Sequence, residues 1–251
     1  MQKFIVGNWK MYGDPAAAHP LVEAVAAHAA KLPAGVQVVV CPPSLLAVQV
    51  TSWLIGANVK TGGQDCHAQP EGAFTGDVSA RMLADSGCAY VIAGHSERRL
   101  HHCETSEMVG HKAAAAIAAG LIPIICIGET AEERDTGIAE SVVAAQLRQS
   151  IPKQAAAGNF VLAYEPVWAI GSGRTPTQGD IARMHAYIVS VATERTGLAA
   201  EHIAVLYGGS VKAENARGIM AIAGVSGVLV GGASLKANEF CGIISAALPQ
   251  G

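Results

Sequence analysis

The chain is poor in charge. Only 15% of its 251 residues are Asp, Glu, Lys or Arg, and they nearly cancel to a net charge of −3. No basic run occurs, so the electrostatic footprint of a nucleic-acid binder is missing. No apolar stretch reaches the roughly 20 residues of a membrane span. The start, Met1 to Val6, lacks a signal-peptide pattern, and the expected location is the cytoplasm. The six cysteines, at 41, 66, 88, 103, 126 and 241, include no Cys-x-x-Cys pair. Dispersed in this way they fit free thiols better than disulfides or a zinc site. Cys41, Cys88 and Cys126 stand in or beside apolar runs and are expected as small buried hydrophobes. A Gly-x-Gly-x-x-Gly turn leading into a helix is also missing, which removes the nucleotide fingerprint that an open doubly wound sheet would need.

Hydrophobic residues, by contrast, make up 51% of the chain, ample for a large core. Short apolar, mostly β-branched runs recur at 4–6, 36–40, 58–61, 89–92, 122–126, 160–163, 203–206 and 228–230; the run at 58–61 is the weakest. Several lack alternation, as parallel strands buried on both faces do. Ala-rich helical segments lie between them. Asp14-Pro15 reads as an N-cap with proline at the first helical position, opening a helix over Ala16 to Lys31. Thr105 to Ala119 is helical by propensity and stops at Gly120. Thr177 with Asp180 resembles a capping box in which Asp replaces the usual Glu or Gln. Eight βα units with no linker or composition break predict a single (β/α)8 barrel of eight parallel strands ringed by helices, one domain over residues 1–251.

In such a barrel, chemistry collects where the strands end. The run Ala163 to Arg174 places one carboxylate, Glu165, at the end of an apolar strand and follows it with a glycine-rich loop containing Trp168. A fixed base beside a loop that can cover it suits proton abstraction from a small substrate. His95 ends the fourth strand, and a helical turn starting at Ser96 would favour its neutral imidazole, able to donate to a developing oxyanion. Lys10 offers a fixed positive charge, and Asn8 a hydrogen-bonding side chain on the same side of its strand. Gly208-Gly209-Ser210 and Gly231-Gly232 end the last two strands, where barrels commonly hold phosphate. Each group also has a bland reading: a loop histidine, a surface lysine, a tight turn. Their joint position at strand ends favours function.

Other features read as structural. His101-His102-Cys103 lacks zinc-ligand spacing and fits a surface helix face. Arg98 and Arg99 read as ion-pair partners of carboxylates. The loop from Gln64 to Asp77 is long for a βα connection, and its Phe74, set among glycines, is expected to dock into a partner subunit rather than remain disordered.

The motifs Gly7-Asn8-Trp9-Lys10, Gly72-Ala73-Phe74-Thr75-Gly76, Gly94-His95-Ser96-Glu97-Arg98-Arg99 and Cys126-Ile127-Gly128-Glu129, followed by Ala163 to Gly171, Tyr207 to Val211 and Leu229 to Leu235, stand in one order along the whole chain. In them the sequence resembles the triosephosphate isomerase family. The resemblance implies interconversion of dihydroxyacetone phosphate and D-glyceraldehyde 3-phosphate, in glycolysis and gluconeogenesis, by a homodimer joined through the 64–77 loop, without metal or organic cofactor. It implies Glu165 as base, His95 as electrophile, and Lys10 and Asn8 as substrate-binding residues. Gly171, Ser210, Gly231 and Gly232 would hold the phosphate, with Ser96 and Glu97 supporting, Glu97 by organising Lys10 or relaying protons. The chain departs from the family pattern at Tyr12, Asp65 and Asp77, which replace common Asn, Asn and Glu, and at Ser172, Arg174 and Pro176. A catalytically silent barrel that binds sugar phosphates, or an isomerase of a larger phosphorylated sugar, are the alternatives.

Overall fold

A computed structural model describes residues 2–169 and 176–248. Eight parallel strands close into a barrel in sequence order. They are β1 (Lys3–Asn8), β2 (Val36–Cys41), β3 (Val59–Gly63), β4 (Tyr90–Ala93), β5 (Ile122–Ile127), β6 (Val161–Tyr164), β7 (Val205–Tyr207) and β8 (Gly227–Val230). The barrel closes where Phe4 of β1 pairs with Gly227 of β8. Every apolar run of the sequence falls on one of these strands.

Helices ring the barrel. They are α1 (Pro15–Ala29), α2 (Ser44–Trp53), α3 (Ala80–Asp85), α4 (Ser96–His101) and α5 (Ser106–Ala118), then α6 (Ala131–Asp135), α7 (Ala139–Ser150), α8 (Gln178–Thr196), α9 (Ala213–Met220) and α10 (Ala237–Ser245). Their starts follow local chemistry. Asp14 caps α1 by accepting from the Ala17 amide, and Thr177 and Asp180 form the reciprocal box that opens α8. A second box, Thr130 with Glu133, opens α6. Such caps satisfy amides that have no acceptor inside the helix and contribute about 1 kcal/mol each.

The strands lack polar alternation because each feeds two apolar cores. Phe4, Val6, Val39, Tyr90, Ile92, Ile124, Val161, Leu206 and Leu229 form one cluster, the barrel interior. Their neighbours along the strands, among them Ile5, Val38, Val40, Ile125, Leu162, Val205 and Val228, pack outward with the helices. Truncating such a buried aliphatic residue to alanine costs about 2–5 kcal/mol.

The strand that falls on the weak run, β3, continues past it into Gly62 and Gly63. Where β3 would send a side chain inward stands Gly62, and a Cβ there would lie 2.8 Å from Cys41 Sγ and 3.2 Å from Tyr90 Cβ. Cys41 of β2 and Tyr90 of β4 fill that space, so β3 carries glycine there. Cys41, Cys66, Cys88 and Cys126 are buried free thiols, as small core hydrophobes are expected to be. Among the described residues no helix is long and apolar enough to cross a membrane.

Candidate active site

Parallel strands bring all their C-terminal ends to one rim, and the polar residues of the sequence meet there. A cavity of 660 Å³ opens at this rim, lined by Asn8, Lys10, His95, Glu165, Ser210, Gly231 and Gly232 among others. Gly171, expected beside them, lies outside the described residues, as does Arg174.

Glu165 follows β6 directly, and its amide donates to Ile127 O at 2.8 Å, extending the β5–β6 ladder one step past the strand. Gly128 makes that approach possible, because a Cβ there would lie 1.8 Å from Glu165 O. The Glu165 carboxylate is only 2% exposed. Its oxygens accept from Ser96 N at 2.9 Å and Ser96 Oγ at 3.0 Å. His95 Nε2 lies 3.0 Å from Glu165 Oε1. On the far side of the ring, His95 Nδ1 accepts from the Glu97 amide at 3.3 Å, so the residue caps α4 with its own side chain. An accepting Nδ1 leaves the proton of a neutral imidazole on Nε2, aimed at Glu165. The helical turn expected at Ser96 is therefore present and fixes the tautomer.

Lys10 lies two residues beyond the end of β1 with φ of 53°. That left-handed backbone costs a non-glycine residue about 1 kcal/mol or more, so its surroundings must hold it. Asn8 Oδ1 accepts from the Lys10 amide at 3.0 Å, and Gln64 Nε2 donates to Lys10 O at 2.7 Å. The Lys10 ammonium donates to Glu97 Oε1 at 2.6 Å. Partial burial pushes the Glu97 carboxyl up, but the hydrogen bond and charge of Lys10, together with His95, outweigh it and hold the group below its ordinary value. Glu97 is thus the carboxylate that bonds the Lys10 ammonium.

The strand ends of β7 and β8 complete the cavity. A 3₁₀ turn, Gly232–Leu235, starts at Gly231, and the first N–H groups of such a turn have no acceptor within it. Ser210 and the side chains of Lys212 and Lys236 line the same wall. Beneath the site the Cys126 thiol is pushed well above its ordinary value, first by burial and then by the nearby Glu165 charge. It remains a neutral neighbour rather than a second anion.

Sequence reasoning missed several neighbours of the site. Gln64, named only as the start of the 64–77 loop, holds Lys10. Glu129, named only as the last residue of a motif, is a buried acceptor for Tyr164 Oη, Trp168 Nε1 and Arg134 Nη1. The reading of the arginines needs one correction. Arg98 does pair with carboxylates, Asp65 and Glu104. Arg99 instead donates to the Gly94 and Cys126 carbonyls and to Ser106 and Ser150 hydroxyls. A planar fork suits converging carbonyls as well as carboxylates, and sequence does not distinguish the two. His101 and Cys103 are exposed, and among the described residues no group of His, Cys, Asp or Glu is arranged to hold a metal ion.

Comparison with known proteins agrees along nearly the full length. The family model described as triosephosphate isomerase matches residues 3–247. The chain is 50% identical over 242 residues to triosephosphate isomerase of Xanthobacter autotrophicus, covering 96% of this chain and 95% of that one. It is 51% identical over 242 residues to that of Caulobacter vibrioides, covering 96% and 95%. It superposes on the crystal structure of triosephosphate isomerase from Bartonella henselae with a TM-score of 0.91 at 41% identity, covering 98% of this chain and 99% of that one.

Proposed function

The chain belongs to the triosephosphate isomerase family, and we propose that it interconverts dihydroxyacetone phosphate and D-glyceraldehyde 3-phosphate with Glu165 as base and His95 as electrophile. The observation that carries this reading is the meeting of a buried carboxylate, an Nε2-protonated imidazole and a lysine in one cavity beside a glycine-rich turn. A carbon acid beside a carbonyl needs a positioned base and oxyanion stabilisation together.

Glu165 removes a proton from the carbon next to the carbonyl, and the electron pair moves onto the carbonyl oxygen. The His95 Nε2–H and the Lys10 ammonium stabilise that oxyanion. The proton returns to the neighbouring carbon while the hydroxyl and carbonyl exchange places through His95, so atoms and charge balance. Asn8 binds the substrate body. Gly171, Ser210, Gly231 and Gly232 hold the phosphate through backbone amides. The two hydrogen bonds from Ser96 park the Glu165 carboxylate, so it must leave Ser96 to reach a substrate carbon.

The same reading makes the protein a cytoplasmic homodimer. Met11, Tyr12, Leu45, Val48, Phe74 and Met82 are large exposed apolar side chains on the segments that follow β1, β2 and β3, and such a patch calls for a covering surface. Phe74 stacks on His67 with centroids 4.0 Å apart yet stays 43% exposed, which presents the 64–77 loop to a partner copy. A symmetric dimer is the commonest solution.

The test is a coupled assay run in both directions with the two triose phosphates, beside a larger phosphorylated sugar as control. Turnover of the triose phosphates alone is expected. Binding without turnover would favour the silent barrel, and preference for the larger sugar would overturn the substrate. Sedimentation at micromolar concentration should show no major monomer; a fully active monomer would overturn the dimer.

A further inference from the structure

Lys10 is held at two points, and the two residues that hold it are themselves joined one position further along each chain segment. Gln64 fixes the Lys10 carbonyl, and Glu97 fixes the Lys10 ammonium. The next residues are Asp65 and Arg98, and Arg98 Nη2 lies 2.9 Å from Asp65 Oδ2. A closed circuit therefore runs from Lys10 O through Gln64, Asp65, Arg98 and Glu97 back to Lys10 Nζ.

The joint between Asp65 and Arg98 is not an ordinary surface pair. Lys112 Nζ donates to both Asp65 oxygens, at 2.7 and 2.8 Å. Lys112 and Arg98 each also bond Glu104. Two anions and two cations thus alternate in a ring, each bonded to both groups of opposite sign. Lys112 and Glu104 are buried, so removing one member leaves charge without compensation inside the protein, whereas an exposed pair would lose little. The ring ties three elements together: the loop after β3, helix α4 and helix α5.

We propose that Asp65 is a positioning residue for the isomerisation, which through Arg98 fixes the spacing of Gln64 and Glu97 and so aims the Lys10 ammonium into the cavity. This rests on Lys10 being a substrate-binding residue. The strained backbone of Lys10 is what makes the aim depend on outside support. With φ at 53°, the residue relaxes if either anchor shifts, and a displaced ammonium loses its match to the oxyanion. Sub-ångström placement of a catalytic group matters on this scale.

The experiment compares Asp65→Ala and Asp65→Asn in the parent and in a Lys10→Ala background, with KM, kcat and thermal midpoint measured for each. Asn keeps an oxygen that accepts from Arg98, so Asp65→Asn is expected to stay within about threefold of the parent in KM. Asp65→Ala is expected to raise KM about tenfold with a smaller change in kcat, and to have no further effect once Lys10 is alanine. Binding of inorganic phosphate, followed by calorimetry, gives the same comparison where turnover is too slow to measure. If Asp65→Ala does not fold, Arg98→Lys shortens the bridge while keeping the charge and should show the same KM effect. A folded Asp65→Ala or Arg98→Lys with parental KM, or an equal loss in both backgrounds, would overturn the positioning role alone. A Lys10→Ala enzyme with parental KM would overturn the Lys10 assignment, and the positioning role with it.

Discussion

Glu129 and Glu165 stand at the ends of adjacent strands, β5 and β6, and both are buried, at 0% and 2% exposure. Their surroundings differ in kind. Glu129 Oε1 collects Tyr164 Oη at 3.0 Å, Trp168 Nε1 at 2.8 Å and the Arg134 guanidinium at 3.2 Å. Arg134 also lies 4.3 Å over the Trp168 ring and bonds Asp180. Burial, and after it the Glu129 charge, pushes the Tyr164 hydroxyl above its ordinary value, so it stays a donor. Glu165 bonds no guanidinium: it accepts from the Ser96 amide and hydroxyl, lies against the His95 imidazole and has the Cys126 thiol beside it. It also lines the cavity. Glu129 thus has a half-buried guanidinium as a fixed partner, which Asp180 shares. A carboxylate held by neutral donors beside an open cavity can accept a proton and release it. Burial alone does not make a base; the type of partner and the access to substrate do.

The largest effect expected from breaking this contrast is at Glu165. Glu165→Gln keeps size and one acceptor oxygen, with the rotatable Ser96 hydroxyl able to accept from the new amide, but removes the base, and turnover should fall at least about a thousandfold with little change in thermal midpoint. Steady-state kinetics within tenfold of the parent would end the assignment. Glu129→Gln should show the opposite profile. It leaves half-buried Arg134 with Asp180 as its remaining carboxylate and should cost about 1–3 kcal/mol in chemical denaturation, while kcat stays within about tenfold. A large loss of turnover at unchanged stability would erase the distinction between the two acids.

A third buried group sharpens the comparison by titrating. His185 on α8 is fully buried, packs edge-on to Tyr164 and uses Nδ1 on Gly224 O at 3.2 Å. Burial lowers its pKa from 6.5 to about 4, against the pull of the Gly224 carbonyl. The unfolded chain therefore binds a proton between pH 6.5 and 4 that the folded chain refuses, and stability falls as pH drops through that window. The loss at pH 4 should be about 3 kcal/mol. Above pH 6.5 the group contributes no slope. Denaturation of the parent and of His185→Gln at pH 7 and pH 4 measures it; parallel pH dependences would refute it.

The smallest effect belongs to the group that parks the base. Ser96→Ala removes the hydroxyl that accepts no charge but holds Glu165 Oε1, leaving the Ser96 amide in place. A change in kcat/KM of about tenfold, or roughly 1.4 kcal/mol, is expected. An effect as large as that of Glu165→Gln would make Ser96 a participant in proton transfer rather than a rest for the base.

Local physics made much of the protein legible from its sequence. Apolar runs buried on both faces announced the strands, even β3, where Asn58 and Lys60 weakened the signal. Asp14 and Thr177 announced helix starts, because capping involves residues three or four apart. The rim location of His95 and Glu165 followed from the barrel rule, since parallel strands end together. Tertiary structure alone decided what the charged side chains meet. Nothing local shows that Arg99 turns to carbonyls while Arg98 turns to Asp65, nor that Lys112 reaches Asp65 across 47 positions. The same holds for the separation of Glu129 from Glu165: each follows an apolar strand, and only packing gives one a guanidinium and the other a serine. Hydrophobic periodicity and caps are written in spacing along the chain. The partners of a charge are set by which elements pack together, and that is fixed only when the barrel closes.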